Sequence, residues 1–209
     1  MNKSVKYVAV GMMSFLSLNY LVAADYTSLF QKSYASEKSG DYAGAYNIIK
    51  EASMDGANDM VKYSALMREA YLQGMMSKFD AAAKLYGEAS EVMKGAIEPL
   101  IYQQYHLLVA KKWSELIGSA QMALKIDSKN YLSRTRLAYG YFYMGDYKSS
   151  VKEYESVSKM YPLDLDVKSM LGWAYLYAKN NDQAKAIFTE ILSIAPSNQS
   201  ALAGIKSIK

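Results

Sequence analysis

Gly145-Asp146-Tyr147 is one of five versions of a single turn that recurs along this chain of 209 residues. The other versions are Gly40-Asp41-Tyr42, Ser77-Lys78-Phe79, Lys111-Lys112-Trp113 and Lys179-Asn180-Asn181, of which the last lacks the aromatic residue. Successive versions lie 37, 34, 34 and 34 residues apart. A period near 34 residues is typical of a helical solenoid, in which each helix-turn-helix unit buries its apolar face only against its neighbours. The repeat therefore predicts a protein that presents a surface to another molecule.

Residues 26 to 198 resemble the tetratricopeptide repeat (TPR) family, and the last two units carry the resemblance best. The matching residues, counted from the start of each unit, are Leu137, Ala138, Tyr141 and Pro162 in one and Leu171, Gly172, Tyr175, Ala184, Phe188 and Pro196 in the other. In this family, small residues let two helices approach closely and bulky residues fill the gaps between them. The resemblance implies an all-α fold, a right-handed TPR-type helical solenoid of about five helix-turn-helix repeats with a C-terminal capping helix.

The predicted solenoid domain covers residues 25–209. Its repeats are expected at about 26–59, 63–96, 97–130, 131–164 and 165–198. A capping helix is expected over 199–208, where apolar residues recur every three positions at Leu202, Ile205 and Ile208. Either Ser197 or Asn198 can cap its start. A solenoid needs such an end to cover the exposed face of its last repeat.

Residues 1–24 have the pattern of a signal peptide. Lys3 and Lys6 precede a stretch without charge, which ends in the small residues Val22-Ala23-Ala24. This pattern predicts cleavage after Ala24 and export, to the periplasm or, as the alternative, to the medium. The competing interpretation is a retained membrane anchor, which would be the one expected contact with a membrane. The chain has no cysteine, so the lipid attachment of bacterial lipoproteins is excluded.

The charge balance argues against nucleic acid as a partner. The whole chain has 24 basic and 20 acidic residues, and removing Lys3 and Lys6 leaves 22 against 20. Lysine and glutamate are interspersed, without the basic stripe that neutralises phosphates. The expected partner is therefore a protein or peptide of the cell envelope.

Catalytic chemistry finds little support in the sequence. The single histidine, His106, lies in the middle of a predicted helix among apolar residues, which favours a packing role over general-base catalysis. Asp164 and Asp166 stand where a helix should begin, and negative charge is favourable there. No metal-ligand cluster and no phosphate-binding loop is found, so we expect neither an enzyme nor a cofactor.

One column of aromatic residues rises above the repeat pattern. The ninth position of the first helix is aromatic in every unit, at Tyr34, Tyr71, Tyr105, Tyr139 and Trp173. The TPR resemblance implies that this position faces the concave groove, together with Phe142, Tyr143 and Tyr177. Either these rings bind a partner or they only pack against neighbouring helices. The predicted partner-binding residues are Tyr34, Tyr71, Tyr105, Tyr139, Tyr143, Trp173 and Tyr177.

Two functions remain compatible with the sequence. The first is a non-enzymatic exported scaffold that binds a protein or peptide in its groove during cell-envelope assembly or export. The second is a module that binds a glycan or cell-wall polysaccharide by stacking rings on sugars. A sugar site usually places carboxylates and amides beside its rings, and the groove offers only Arg136 and Asp166 nearby. This shortage favours the scaffold.

Overall fold

The computed structural model describes residues 26–52 and 56–208. All regular secondary structure within these two ranges is α-helical, so the predicted all-α class is confirmed. The predicted signal peptide, residues 1–24, lies outside the described residues. No helix in the described part of the chain combines the length and the apolar character needed to cross a membrane.

The helices follow one another in pairs joined by short turns. The first, α1, covers residues 26–38. The others are α2 (Tyr42–Lys50), α3 (Asp59–Met75), α4 (Phe79–Val92), α5 (Glu98–Val109), α6 (Trp113–Ile126), α7 (Tyr131–Tyr143), α8 (Tyr147–Met160), α9 (Leu165–Tyr177), α10 (Asn181–Ile194) and α11 (Gln199–Ser207). Each predicted repeat window contains one such pair, and α11 lies in the window of the predicted cap.

The chain divides into two compact units, of which the first ends at Lys94 and the second begins at Gly95. In the first unit α3 packs against both α2 and α4. In the second unit each helix from α5 to α10 packs against the next, and α11 packs against both α9 and α10. The division falls between the second and third predicted repeats.

The recurrent turn reverses the chain through one residue with a left-handed backbone. Gly145 has φ of 81°, its amide donates to Phe142 O, and the amide of Asp146 donates to Tyr141 O, which closes the end of α7. The first residue of every version has positive φ, at Gly40, Ser77, Lys111, Gly145 and Lys179. The aromatic residue that ends the turn is the first residue of the next helix, for example Tyr147 of α8. The turn that repeats in the sequence is therefore the turn between the two helices of each pair.

The core of the second unit lies between successive helix pairs. One cluster contains six buried residues, Ala138, Tyr154, Val157, Val167, Leu171 and Ala174. A second surrounds the ring of Phe188, which is fully buried among Ala184, Ile191 and Ala201. Because Ala201 belongs to α11, the last helix covers the apolar side of α10. Asn198 caps α11 by accepting from the amide of Ala201, so the structure selects one of the two predicted caps.

Candidate partner-binding surface

The predicted column of rings is not uniform along the chain. Tyr34, Tyr71 and Tyr105 are 56%, 39% and 50% exposed. Tyr139 and Trp173 are half-buried. The two ends of the column therefore differ in how much ring surface they offer to a partner.

In the first unit, two of these rings surround a buried arginine. The guanidinium of Arg68 lies 3.9 Å from the ring centre of Tyr34 and 5.8 Å from that of Tyr71. Arg68 also pairs with Glu37, whose carboxylate accepts a hydrogen bond of 2.9 Å from the Tyr71 hydroxyl. The Nε of Arg68 donates to Ser33 Oγ at 3.1 Å. Tyr34 and Tyr71 thus hold a charge pair within the first unit.

The pKa of Glu37 reflects this arrangement. Burial acts to raise that pKa, but the hydrogen bonds from Arg68 and Tyr71 and the charge of Arg68 together bring it below its usual value. The hydrogen bond to Glu37, followed by burial, raises the pKa of Tyr71. Glu37 is therefore an anion at neutral pH and Tyr71 keeps its proton.

In the second unit, Tyr139 and Tyr143 of α7 pack on Trp113, the first residue of α6. The rings of Trp113 and Tyr143 are stacked, with centroids 4.8 Å apart and planes at 22°. Tyr139 lies 5.9 Å from Trp113 and 4.6 Å from Tyr143. Burial, followed by its interaction with Tyr143, raises the pKa of Tyr139 to about 12. Tyr143 nevertheless remains 50% exposed.

The same arrangement recurs one repeat later. Tyr147, the first residue of α8, stacks on Tyr177 of α9 with centroids 5.3 Å apart and planes at 26°. Phe142 lies 5.4 Å from Tyr177 and 5.5 Å from Tyr143, so it joins the two groups of rings. Tyr177 is 50% exposed, as Tyr143 is. Each half-exposed tyrosine is thus held on one side by another ring.

Trp173 has a more structural environment than Tyr177. Its ring packs edge-on against buried Phe188 at 5.5 Å, and its Nε1 donates to Ser200 Oγ at 2.9 Å. Tyr177 lies 6.3 Å away in a tilted arrangement. Trp173 therefore ties α9 to α10 and α11 while its partly exposed face adjoins Tyr177.

These rings form a continuous set, which we call the aromatic surface: Trp113, Tyr139, Phe142, Tyr143, Tyr147, Trp173 and Tyr177. Trp113 and Tyr147 are absent from the predicted site residues. Both stack on a residue 30 positions further along, and this constant interval, visible in the sequence, could have revealed them. Of the predicted residues, the structure brings together Tyr139, Tyr143, Trp173 and Tyr177 within this set. Tyr105 has a ring contact with neighbouring His106 instead, at 5.1 Å.

The polar residues near the aromatic surface are largely engaged in the fold. Arg136 Nη1 donates to Ile101 O at 2.8 Å, and burial lowers the pKa of its guanidinium. Asp164 caps α9 and accepts a hydrogen bond of 2.6 Å from the Tyr131 hydroxyl. Burial lowers the pKa of His106, which is 7% exposed. Among the described residues no group of three side chains could hold a metal ion.

Comparison with known proteins identifies the repeat and the fold. Residues 165–198 match the sequence model of the tetratricopeptide repeat. The crystal structure of the MamA protein is 15% identical, covers 80% of this chain and 90% of its own, and superposes with a TM-score of 0.69. YrrB, described as a TPR protein with an unusual peptide-binding site, is 13% identical, with coverages of 85% and 90% and a TM-score of 0.70. The predicted fold class, a TPR-type helical solenoid, is confirmed.

One curated protein shares sequence with the chain over a limited region. Human aspartyl/asparaginyl beta-hydroxylase is 27% identical over 110 residues, which are 53% of this chain but only 12% of that protein. The chain thus spans about an eighth of the relative's length. TPR folds are generally non-catalytic scaffolds, and so short a match carries no activity over to this chain.

Proposed function

Because this chain is a tetratricopeptide repeat protein, we propose that it is a non-enzymatic, exported scaffold. It binds a protein or peptide partner of the cell envelope through the aromatic surface of its second unit. Its role belongs to envelope assembly or export. The coarse part of this function, a scaffold fold suited to protein interaction, follows from the family; the partner, the export and the surface are the proposal.

The observation that carries the proposal is the pair of half-exposed, pre-positioned rings, Tyr143 and Tyr177. Each is held by a stacked ring on one side, so little side-chain entropy remains to be lost when a partner covers the other side. Tyrosine and tryptophan are enriched among residues that dominate binding energy, because a rigid ring buries much area. The peptide-binding site of YrrB supports the same kind of ligand for a protein of this fold.

A glycan ligand has less support from the same surface. Protein sites for sugars combine stacked rings with polar groups that bond to hydroxyls. Arg136, one of the two polar residues nearest the rings in sequence, spends one guanidinium nitrogen on Ile101 O and is largely buried. A peptide needs fewer such groups, because apolar contact with the rings supplies most of the affinity.

The test is selection of peptides from a random displayed library against the purified protein, followed by affinity measurements on single peptides. Replacing both Tyr143 and Tyr177 by alanine should weaken the selected peptides by roughly thirtyfold, as for an interface hot spot. Tyr102→Ala is the matched control, since Tyr102 is 45% exposed on α5 and stands outside the aromatic surface. Peptides that bind the double variant as tightly as the unchanged protein would refute the proposal. Specific binding of a glycan array without any selected peptide would favour the alternative.

A further inference from the structure

The ring groups of the second unit follow a rule that stops after two steps. At the first step Trp113 begins α6 and contacts Tyr139 of α7; at the second, Tyr147 begins α8, and Trp173 takes the place of Tyr139 in α9. At the third step, 34 residues on, the equivalent of Trp113 and Tyr147 is Asn181, which begins α10.

The other ring is missing at the third step too. The residue equivalent to Tyr139 and Trp173 is Ser207, the last residue of α11. Two small polar side chains therefore stand where the earlier steps have aromatic rings. The fold provides the same place between helices, and the sequence leaves it without rings.

A cleft of about 360 Å³ lies at this position. Its lining residues are Trp173, Leu176, Tyr177, Lys179, Asn181 and Ser207. The cleft thus has an apolar wall made of the last rings of the aromatic surface and a polar wall made of Asn181 and Ser207. It is continuous with the proposed binding surface, because Trp173 and Tyr177 belong to both.

The charge of the cleft is of one sign. Lys179 is the only charged residue in its lining, and no carboxylate contributes to it. Among the described residues, none forms an ion pair with Lys179. A ligand that supplies a carboxylate beside an apolar group would complement this lysine.

We propose that this terminal cleft binds an aromatic side chain of a partner peptide that carries glutamate or aspartate next to the aromatic residue. The incoming ring takes the place that Trp113 and Tyr147 occupy at the earlier steps, packing beside Tyr177 and Trp173. The neighbouring carboxylate pairs with Lys179. This inference rests on the proposed function, for which it names the chemistry of the partner at one end of the surface.

The test uses calorimetric titration with an acetylated and amidated nonapeptide, in which one phenylalanine lies between two pairs of glutamates, flanked by glycine and serine. Replacing its phenylalanine by alanine should weaken binding about tenfold, as expected for an anchoring ring. Replacing the glutamates by lysines, or Lys179→Glu in the protein, should weaken it about two- to fivefold, in the range of an exposed ion pair. Equal binding of the phenylalanine and alanine peptides would overturn the proposal.

Two variants fill the cleft from inside the protein. Asn181→Tyr restores the ring that starts the earlier helices, and Ser207→Tyr places a ring from α11. Each should reduce nonapeptide binding about tenfold, and Tyr102→Ala should leave it unchanged. The variants lie on different helices, so the one with the unchanged melting temperature decides if the other is destabilised. Full binding by a folded, cleft-filled variant contradicts the proposal, as does binding of a cello-oligosaccharide in the same cleft without any peptide binding.

This inference and the proposed function fail in different ways. If library-selected peptides depend on Tyr143 and yet bind normally to the cleft-filled variants, the scaffold function stands and the terminal cleft is excluded as its anchor. If the nonapeptide binds in the cleft but no selected peptide depends on Tyr143, the cleft is the site and the wider surface is not.

Discussion

The ring of Phe188 lies directly against the backbone of Gly204, so closely that a Cβ built on Gly204 would overlap with its ring carbons. On its other side the ring meets Gly172, where an added Cβ would also stand far inside contact distance. A fully buried ring of α10 is thereby clamped between glycines of α9 and α11. This contact fixes the last helix onto the repeat before it.

The first prediction concerns that contact. Gly204→Ala should destabilise the protein by about 1–2 kcal/mol, because overpacking a buried ring outweighs the helix propensity that alanine adds. Gly118→Ala is the matched control in α6, where an added Cβ meets nothing within 4 Å, and it should stabilise by about 0.5–1 kcal/mol. Urea unfolding of both variants measures the difference. Similar gains in stability from the two changes would contradict the packing described here.

The second prediction concerns the recurrent turn. Lys111 has φ of 58°, a conformation that costs an L-residue roughly 1–2 kcal/mol. Lys111→Gly should therefore stabilise the protein by about 0.5 kcal/mol, once the larger entropy of glycine in the unfolded chain is deducted. The reverse change, Gly145→Ala, should destabilise by about 1 kcal/mol. Its Cβ would meet nothing within 4 Å, so only the backbone can be responsible. Thermal unfolding that moves both variants in the same direction would argue against this account.

The third prediction separates packing rings from available rings. Trp173→Ala should lower stability by about 2–3 kcal/mol, because Trp173 packs on Phe188 and donates to Ser200, and its half-buried state keeps the loss below that of a core aromatic. Tyr105→Ala should change stability by less than about 0.5 kcal/mol, since Tyr105 is 50% exposed. Chemical unfolding of the two variants is the measurement. A Trp173→Ala protein as stable as Tyr105→Ala would assign Trp173 to ligand binding alone.

The fourth prediction concerns alkaline pH. The hydrogen bond to Asp164, followed by burial, raises the pKa of Tyr131 from 10.0 to about 12. Because the folded-state pKa lies above the unfolded value, the stability that this proton contributes is complete below pH 10 and is lost as the pH rises towards 12. Asp164→Asn keeps a good helix cap but removes the charge, so it should shift the pKa of Tyr131 back towards 10.0.

Titration of tyrosines labelled with ¹³C at Cζ, monitored by NMR and assigned with Tyr131→Phe, measures this pKa directly. An unchanged Tyr131 pKa in the Asp164→Asn variant would show that burial rather than the hydrogen bond sets it.

The fifth prediction concerns export. The basic start, the uncharged stretch and the small residues Val22-Ala23-Ala24 predict that the mature chain begins at Asp25. Amino-terminal sequencing of the protein from envelope fractions should read Asp25 first. An intact Met1 on membrane-bound protein would instead indicate a retained anchor.

The periodic features of the fold could be predicted from the sequence. The turn around Gly145 and its four relatives identified where helices pair, because a local backbone reversal imposes its own residue preferences. The approach of Gly172 to Phe188 also agrees with the small and bulky residues that the family resemblance implied. Such features repeat at the period of the fold itself.

The ring contacts were harder to predict because they join neighbouring repeats. Trp113 stacks on Tyr143 rather than on a ring of its own pair, and no propensity rule reports which of many rings meets which. The burial of Arg68 between Tyr34, Tyr71 and Glu37 had no signal either, since it depends on side-chain direction across α1 and α3. Periodicity gives the positions of helices, but side-chain packing assigns the contacts.

The clamp on Phe188 also sets a limit on how the protein can be shortened. Without α11, the ring of Phe188 and the side chains of Ala184 and Ile191 would lose the cover that Ala201 and Gly204 provide. The freed surface would be an apolar patch at the end of α10, of the kind that promotes association between molecules. Fragments that end before residue 199 should therefore aggregate, whereas fragments that retain α11 should stay monodisperse.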